Sequence, residues 1–267
     1  VAQPRKDEVS LGEEAASRTR EEVAAAVDPL DYDVRMLEVT EDLPRYNEWL
    51  LEAFRPYLRG RVIEIGAGIG TIARRYVDQV EEAVLVEPAR PLFEPLRRAL
   101  GNRPNVKLLS GTLEDVFGKT TDDARVTEGS FDTAIMVNVL EHIPGDREVL
   151  TLLHRLLKPG GALLIFVPAM PFLYGTLDAR VGHVRRYTRP SLTDVVAGAG
   201  FAVTTIRYFD VLGMIPWFIT GRVLKASGVG AGNVKLYDQV IVPLCAAVDR
   251  LTRPRIGKNL ICVAKKS

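Results

Sequence analysis

The sequence predicts an α/β fold, a parallel sheet wound on both faces by helices, and three observations carry that expectation. Beyond Arg61, short apolar runs alternate repeatedly with segments of helical period. The stretch Val62-Ile63-Glu64-Ile65-Gly66-Ala67-Gly68-Ile69-Gly70-Thr71-Ile72-Ala73 passes from an apolar run through three alternate glycines into a helical pattern. Val84-Leu85-Val86-Glu87-Pro88 is a second apolar run, and it ends in a carboxylate. Strands separated by helices imply a parallel sheet covered on both sides. Right-handed crossovers then make it doubly wound.

In order, an amphipathic helix is expected over 43–54, with Tyr46, Trp49, Leu50, Ala53 and Phe54 on one face. Strands are expected at 61–65, 83–87, 106–109, 131–137, 161–167, 201–208 and 258–265. Helices fit at 70–78, 91–99, 146–157 and 189–199. The helix before Lys158-Pro159-Gly160-Gly161 stops there because proline and glycine are poor helix formers. Residues 1–42 read as an N-terminal helical extension, within which 13–27 is a surface helix or a frayed segment. The main domain spans 43–267.

Glycine permits tight turns and close approach of a ligand to the backbone. The amides of a following helix start attract an anionic or electron-rich group. A dinucleotide site usually reads G-x-G-x-x-G. Here the glycines are 66, 68 and 70, and Thr71 stands where the third glycine of that motif belongs. Glu87 sits where a strand-end carboxylate can accept two hydrogen bonds from a ribose diol. Two further motifs follow. One is Phe131-Asp132 through Asn138-Val139-Leu140-Glu141-His142-Ile143, an apolar strand running into a helix start. The other is Leu157-Lys158-Pro159-Gly160-Gly161-Ala162-Leu163.

As a set, these four motifs resemble those of the class I S-adenosylmethionine (SAM)-dependent methyltransferases of the small-molecule type, over about residues 45–208 and the final strand. The resemblance implies a Rossmann-like seven-stranded sheet whose last strand, at 258–265, inserts antiparallel between the fifth and sixth. It implies SAM as cofactor, held by Glu64, Gly66, Gly68, Gly70, Glu87 and Pro88, with Asn138 and Val139 facing the sulfonium. Leu113 and Glu114 would meet the adenine. Thr112 departs from the family pattern there, where an aspartate is frequent. Tyr46 and Trp49 either wall the cofactor or pack their helix on the sheet. Glu141 and His142 either brace the turn or, for His142, contact the substrate or act as base.

Two segments fall where such enzymes build substrate pockets, and both are read as helical substrate caps. The first, 168–188, holds Tyr174, His183, Arg185, Arg186 and Tyr187. It is either a solvated loop or a lid, with His183 and Tyr187 accepting or orienting a proton. In the lid reading, Arg185 and Arg186 meet an anionic group on the acceptor. The second, 211–256, carries the apolar runs 211–219 and 240–248, including Trp217. Both are shorter than the ~20 residues that span a bilayer. A pocket cap, a homodimer face and a peripheral membrane patch flanked by Arg222, Lys225 and Arg250 to Arg255 all fit.

The expected activity is methyl transfer from SAM to a small-molecule acceptor, a natural-product, sugar or lipid-linked metabolite, with a rim histidine removing the proton. The alternative is the same fold turned to non-methylating chemistry such as cyclisation. His154 reads as structural, and no metal is assigned. The balance of 35 basic and 34 acidic residues argues against nucleic acid as a partner. Two cysteines in 267 residues, with no secretory pattern at the start, point to a reducing cytoplasm.

Overall fold

The computed structural model describes residues 43–117, 126–224 and 237–267. The expected N-terminal extension at 1–42 and Lys225 lie outside the described residues. Helix α1 (Pro44–Phe54) leads into β1 (Arg61–Ile65), β2 (Glu82–Glu87), α2 (Arg90–Leu100), β3 (Val106–Ser110) and the short α3 (Leu113–Val116). Then come β4 (Phe131–Val137), α4 (Asp146–Leu156), β5 (Leu157–Pro168), α5 (Thr176–Arg180), α6 (Arg189–Gly198) and β6 (Phe201–Phe209). The short α7 (Met214–Phe218), α8 (Val242–Thr252) and β7 (Asn259–Lys266) complete the order.

The seven strands form one sheet in the order β3-β2-β1-β4-β5-β7-β6. All the pairings from β3 to β5 are parallel, and β7 runs antiparallel to both β5 and β6. Apolar residues alternate between two faces, as the strand period requires. Ile63, Ile65, Val84, Val86, Ala134 and Met136 join Leu150, Leu153 and Leu192 on one side. Val62, Leu85, Ile135 and Leu164 join Phe54, Tyr76, Leu96 and Leu100 on the other. The helices bury their apolar stripes against these faces: Leu92, Leu96 and Leu100 of α2, and Val149, Leu150, Leu153 and Leu156 of α4. Because β1 lies between β2 and β4, chain order reverses there. A crevice therefore opens at the C-terminal tips of these three strands.

The structure departs from the expected elements in three places. The helix expected at 70–78 is instead a pair of 3₁₀ turns, Ala73–Arg75 and Val77–Gln79. Bonds from Arg75 N to Ile72 O and from Tyr76 N to Ala73 O tighten the backbone as the Tyr76 side chain turns inward to Glu64. The helix expected to begin after Asn138 is a single 3₁₀ turn, Leu140–His142, and α4 starts only at Asp146. Lys158 to Gly161 belong to β5 rather than to a break before it, since the helix ends at Leu156 and the chain extends at once.

Candidate active site

The glycine turn has a shape that only glycine adopts without strain. Gly66, Gly68 and Gly70 all take left-handed φ values, +68°, +58° and +86°. A Cβ on Gly66 would stand 2.4 Å from Val139 Cγ2, so the turn and the tip of β4 are in direct contact. Most amides of the turn are used internally. Gly66 N and Ala67 N donate to Val86 O, and Gly70 N donates to Ala67 O. Gly68 N donates to Glu87 Oε2 at 2.8 Å, and Ala89 N to Glu87 Oε1 at 2.8 Å. Glu87 is buried, which raises its carboxyl, while these two bonds pull the other way. A carboxylate offers about four lone-pair positions, so both oxygens keep acceptor capacity for a diol.

Glu64 projects to the opposite face from Ile63 and Ile65 and accepts the Tyr76 hydroxyl at 2.7 Å. Burial pushes its carboxyl up to about 8; the Tyr76 bond opposes this and the Glu87 charge adds to it. Thr71 Oγ1 is buried without a hydrogen-bond partner among the described residues. A left-handed glycine turn, a strand-end carboxylate with spare lone pairs and an orphan hydroxyl suit the polar adenosyl and amino-acid ends of SAM. Asn138 leaves β4 at φ +53° and is exposed at the rim. Met170 and Asp210 leave β5 and β6 in the same left-handed region, at +58° and +64°. Non-glycine residues held there are uncommon and gather at functional sites.

Leu113 is buried in the core at the start of α3, Glu114 is exposed, and Pro88 is half-buried. Thr112 caps α3, exchanging bonds with Asp115. Tyr46 and Trp49 lie in an aromatic cluster. Trp49 stacks on Phe209 at 3.7 Å, and the Tyr46 hydroxyl accepts from Asn259 Nδ2 at 2.7 Å. What these two side chains touch is the packing of α1 on the sheet.

Beyond Asn138, the chain gathers a second set of groups. Val184 N donates to Glu141 O at 2.9 Å, which brings the first substrate segment against the turn after β4. His183 Nδ1 lies 2.7 Å from Asp178 Oδ1, and its Nε2 lies 3.6 Å from Glu141 Oε1. Burial alone would raise the Asp178 carboxyl, but the His183 bond and the Arg186 charge hold it below the usual range. An ionised Asp178 places the ring proton on Nδ1 and leaves the Nε2 lone pair facing Glu141. The His142 ring lies edge-on to His183 with centroids 4.8 Å apart. Burial and the His183 charge lower His142 to about 4. Glu141 is fully buried, both oxygens lack a partner on another residue among the described residues, and burial raises its carboxyl to about 8 against the pull of its own amide.

Three expected roles in this segment are corrected by what the side chains touch. Arg186 is buried, donating to Asp178 Oδ1 and Ala169 O, and Arg185 donates to Asp146 Oδ2 and Pro144 O. Both guanidiniums are committed to internal oxygens rather than to an acceptor anion. Tyr187 is buried and its hydroxyl donates to Asp146 Oδ2 at 2.8 Å; burial first and then Asp146 drive its pKa upward. That bond braces the loop and holds the hydroxyl as a neutral donor. Tyr174 donates to His183 O at 2.7 Å. Trp217 lies over Arg186, 5.1 Å from ring centroid to guanidinium, with Nε1 buried and without a hydrogen-bond partner among the described residues. His154 packs edge-on against Phe201, a structural place. Asp178 was missed as an organiser because only its distance from His183 in space, not in sequence, reveals it.

The sheet order, the glycine turn and the carboxylate at the end of β2 define the class of SAM-binding enzymes with this topology. The family described as "Methyltransferase domain" matches residues 38–206. The chain belongs to this family and is a class I SAM-dependent methyltransferase. It is 30% identical over 142 residues to an uncharacterized methyltransferase of Mycobacterium tuberculosis, covering 53% of this chain and 49% of that protein. The matched segment thus spans about half the length of that curated relative. A ubiquinone biosynthesis O-methyltransferase of Xanthomonas oryzae is 27% identical over 106 residues, covering 39% of this chain and 41% of the relative. A solved SAM-dependent methyltransferase of Thermotoga maritima shares the fold with a TM-score of 0.57 at 20% identity, covering 88% of this chain and 96% of that one.

Proposed function

We propose that this methyltransferase acts on a hydroxyl of a small-molecule acceptor held at the rim between Asn138 and His183, and that His183 takes the acceptor's proton. The observation that carries this reading is the Asp178–His183 pair. A buried carboxylate holds Nδ1 and fixes the tautomer, which leaves Nε2, beside Glu141, as the basic nitrogen of a partly exposed ring. SAM supplies an activated methyl on a sulfonium. The protein's share is orientation, exclusion of water and handling of the proton. Gly66 and Gly68 would carry the amino-acid end, Thr71 would pair its orphan hydroxyl there, and Glu87 would accept the ribose diol. Asn138 and Val139 would border the reacting methyl.

The acceptor pocket would be closed by 168–188 and by the second cap. That cap leaves Ile215, Phe218, Ile219, Val223 and Leu224 exposed, which favours an acceptor with an apolar part, such as a lipid-linked or natural-product metabolite. The relative named for O-methylation in ubiquinone biosynthesis supports oxygen as the methylated atom.

Methyl-labelled SAM incubated with a panel of hydroxylated acceptors tests the reaction. His183→Ala should lower kcat by roughly 10²- to 10⁴-fold, the usual contribution of a general base. Its affinity for SAM, measured by calorimetry, should stay at the wild-type value. A variant with full turnover would remove His183 from the mechanism.

A further inference from the structure

The Glu141 carboxyl is fully buried, yet among the described residues neither of its oxygens has a hydrogen-bond partner on another residue, and its own backbone amide is the one donor that acts on it. Buried polar groups are nearly always paired, and an ionised one is costly to leave bare. The nearest candidate, His183 Nε2, stands 3.6 Å from Oε1, beyond hydrogen-bond range. That separation is instead what two ligands of one cation show, since bonds of about 2.1 Å set neighbouring ligand atoms about 3–3.5 Å apart. His142 completes the group. One ligand atom each from Glu141, His142 and His183 lie within 4.8 Å of one another, so the two partly exposed rings would draw in by about 1 Å to share an ion.

We propose that Glu141, His142 and His183 form a binding site for a divalent transition-metal ion, with open positions that receive oxygen atoms of the acceptor. Two imidazoles and a carboxylate suit zinc, iron(II), cobalt or manganese better than calcium or magnesium, which prefer oxygen ligands throughout. Three protein ligands leave room for a substrate or water, as in catalytic sites. The outer partners point the same way. Metal-bound histidines almost always give their other nitrogen to a carboxylate or backbone carbonyl. His183 gives Nδ1 to Asp178, and Asp178 is itself fixed by Arg186 and by Gly175 N at 3.0 Å. His142 is bonded to the backbone of Gly182. The carboxylate is buried while both rings are partly exposed, so the open positions face the rim where the acceptor is placed.

The site deepens the proposed function and rests on it for the identity of its last ligand. A bound ion would change the part that His183 plays. A hydroxyl on the ion has its pKa lowered, and its proton passes to water at the rim rather than to Nε2.

The test uses the untagged protein, stripped with a chelator and titrated with Co²⁺ followed by visible absorption, with Zn²⁺ as competitor. The wild type is expected to give a saturable ligand-field spectrum that Zn²⁺ abolishes. Glu141→Gln and His142→Ala should each weaken Co²⁺ binding by at least roughly tenfold, with metal-free melting temperatures confirming that both are folded. No spectrum in the wild type, or unchanged affinity in folded Glu141→Gln, overturns the site. The same preparations are assayed for labelled methyl transfer. Failure to bind Co²⁺ with turnover intact removes the metal and keeps His183 as base. Specific Co²⁺ binding with no transfer to any acceptor keeps the metal site and overturns the acceptor reading.

Discussion

A carboxyl on a central strand is hard to bury, and Glu64 is 2% exposed between β2 and β4. Among the described residues its donor is Tyr76, whose own pKa is driven up by burial and by Glu64. Raised to about 8 from an ordinary 4.5, Glu64 favours the folded state in its protonated form. That contribution is complete below the unfolded value and is lost as pH rises from about 4.5 through about 8. Glu64→Gln should therefore flatten the fall in stability across this window, gaining on the order of a few kcal/mol over wild type by its upper end. Urea unfolding from pH 5 to 9 checks it; parallel curves for the two proteins would refute it. The sequence showed Glu64 as part of a motif but not its charge state, which is set first by burial in the sheet and opposed by Tyr76, twelve residues later, turning inward. The same holds for the histidines. Glu141 and His142 are adjacent in sequence, whereas His183 joins them only through the loop pinned by Val184 N to Glu141 O.

Among the elements, the second cap shows how a segment of mixed helices is anchored. Asp210, fully buried, pairs with Lys258 Nζ at 2.6 Å and accepts Gly213 N at 3.0 Å. Asp249 on α8 accepts Asp210 N and Val211 N, and Asp238 accepts Arg45 N and Tyr46 N at the start of α1. Three aspartates thus tie the two ends of the cap to β6, β7 and α1. Removing one partner of a buried pair strands the other. Asp210→Ala should cost about 3 kcal/mol, and adding Lys258→Met should recover part of it. Thermal unfolding of the single and double variants measures both; a double variant less stable than Asp210→Ala would contradict the pairing. The strands were legible because apolar runs of strand length recur, and six of the seven expected starts fall within a residue of those observed. The seventh, β5, begins at Leu157 because an extended Lys-Pro-Gly-Gly segment looks like a break to propensity alone. The anchoring aspartates were not legible, since each joins segments far apart in sequence.

At the scale of the molecule, the glycine turn meets Val139 while Glu141 and His142 follow it in the same turn after β4, and the second cap reaches the first through Trp217 and Arg186. If the cap receives an apolar acceptor, the paired change Ile215→Ser with Leu224→Ser should raise KM for it roughly tenfold while leaving SAM affinity unaltered. Steady-state kinetics with acceptors of different tail length checks this, and a KM indifferent to both tail and variant would assign the exposed side chains elsewhere. The architecture was legible from motif order alone, because strand alternation and right-handed crossovers leave few arrangements. The insertion of β7 has a further consequence, in the timing of folding. β6 is an edge strand whose only neighbour in the sheet is β7. A chain emerging from its N-terminal side therefore presents Phe201–Phe209 with no strand to join until Asn259–Lys266 arrives and wedges between it and β5. Such long-range pairing is slow to form. The strand farthest along the chain thus sets when the sheet closes.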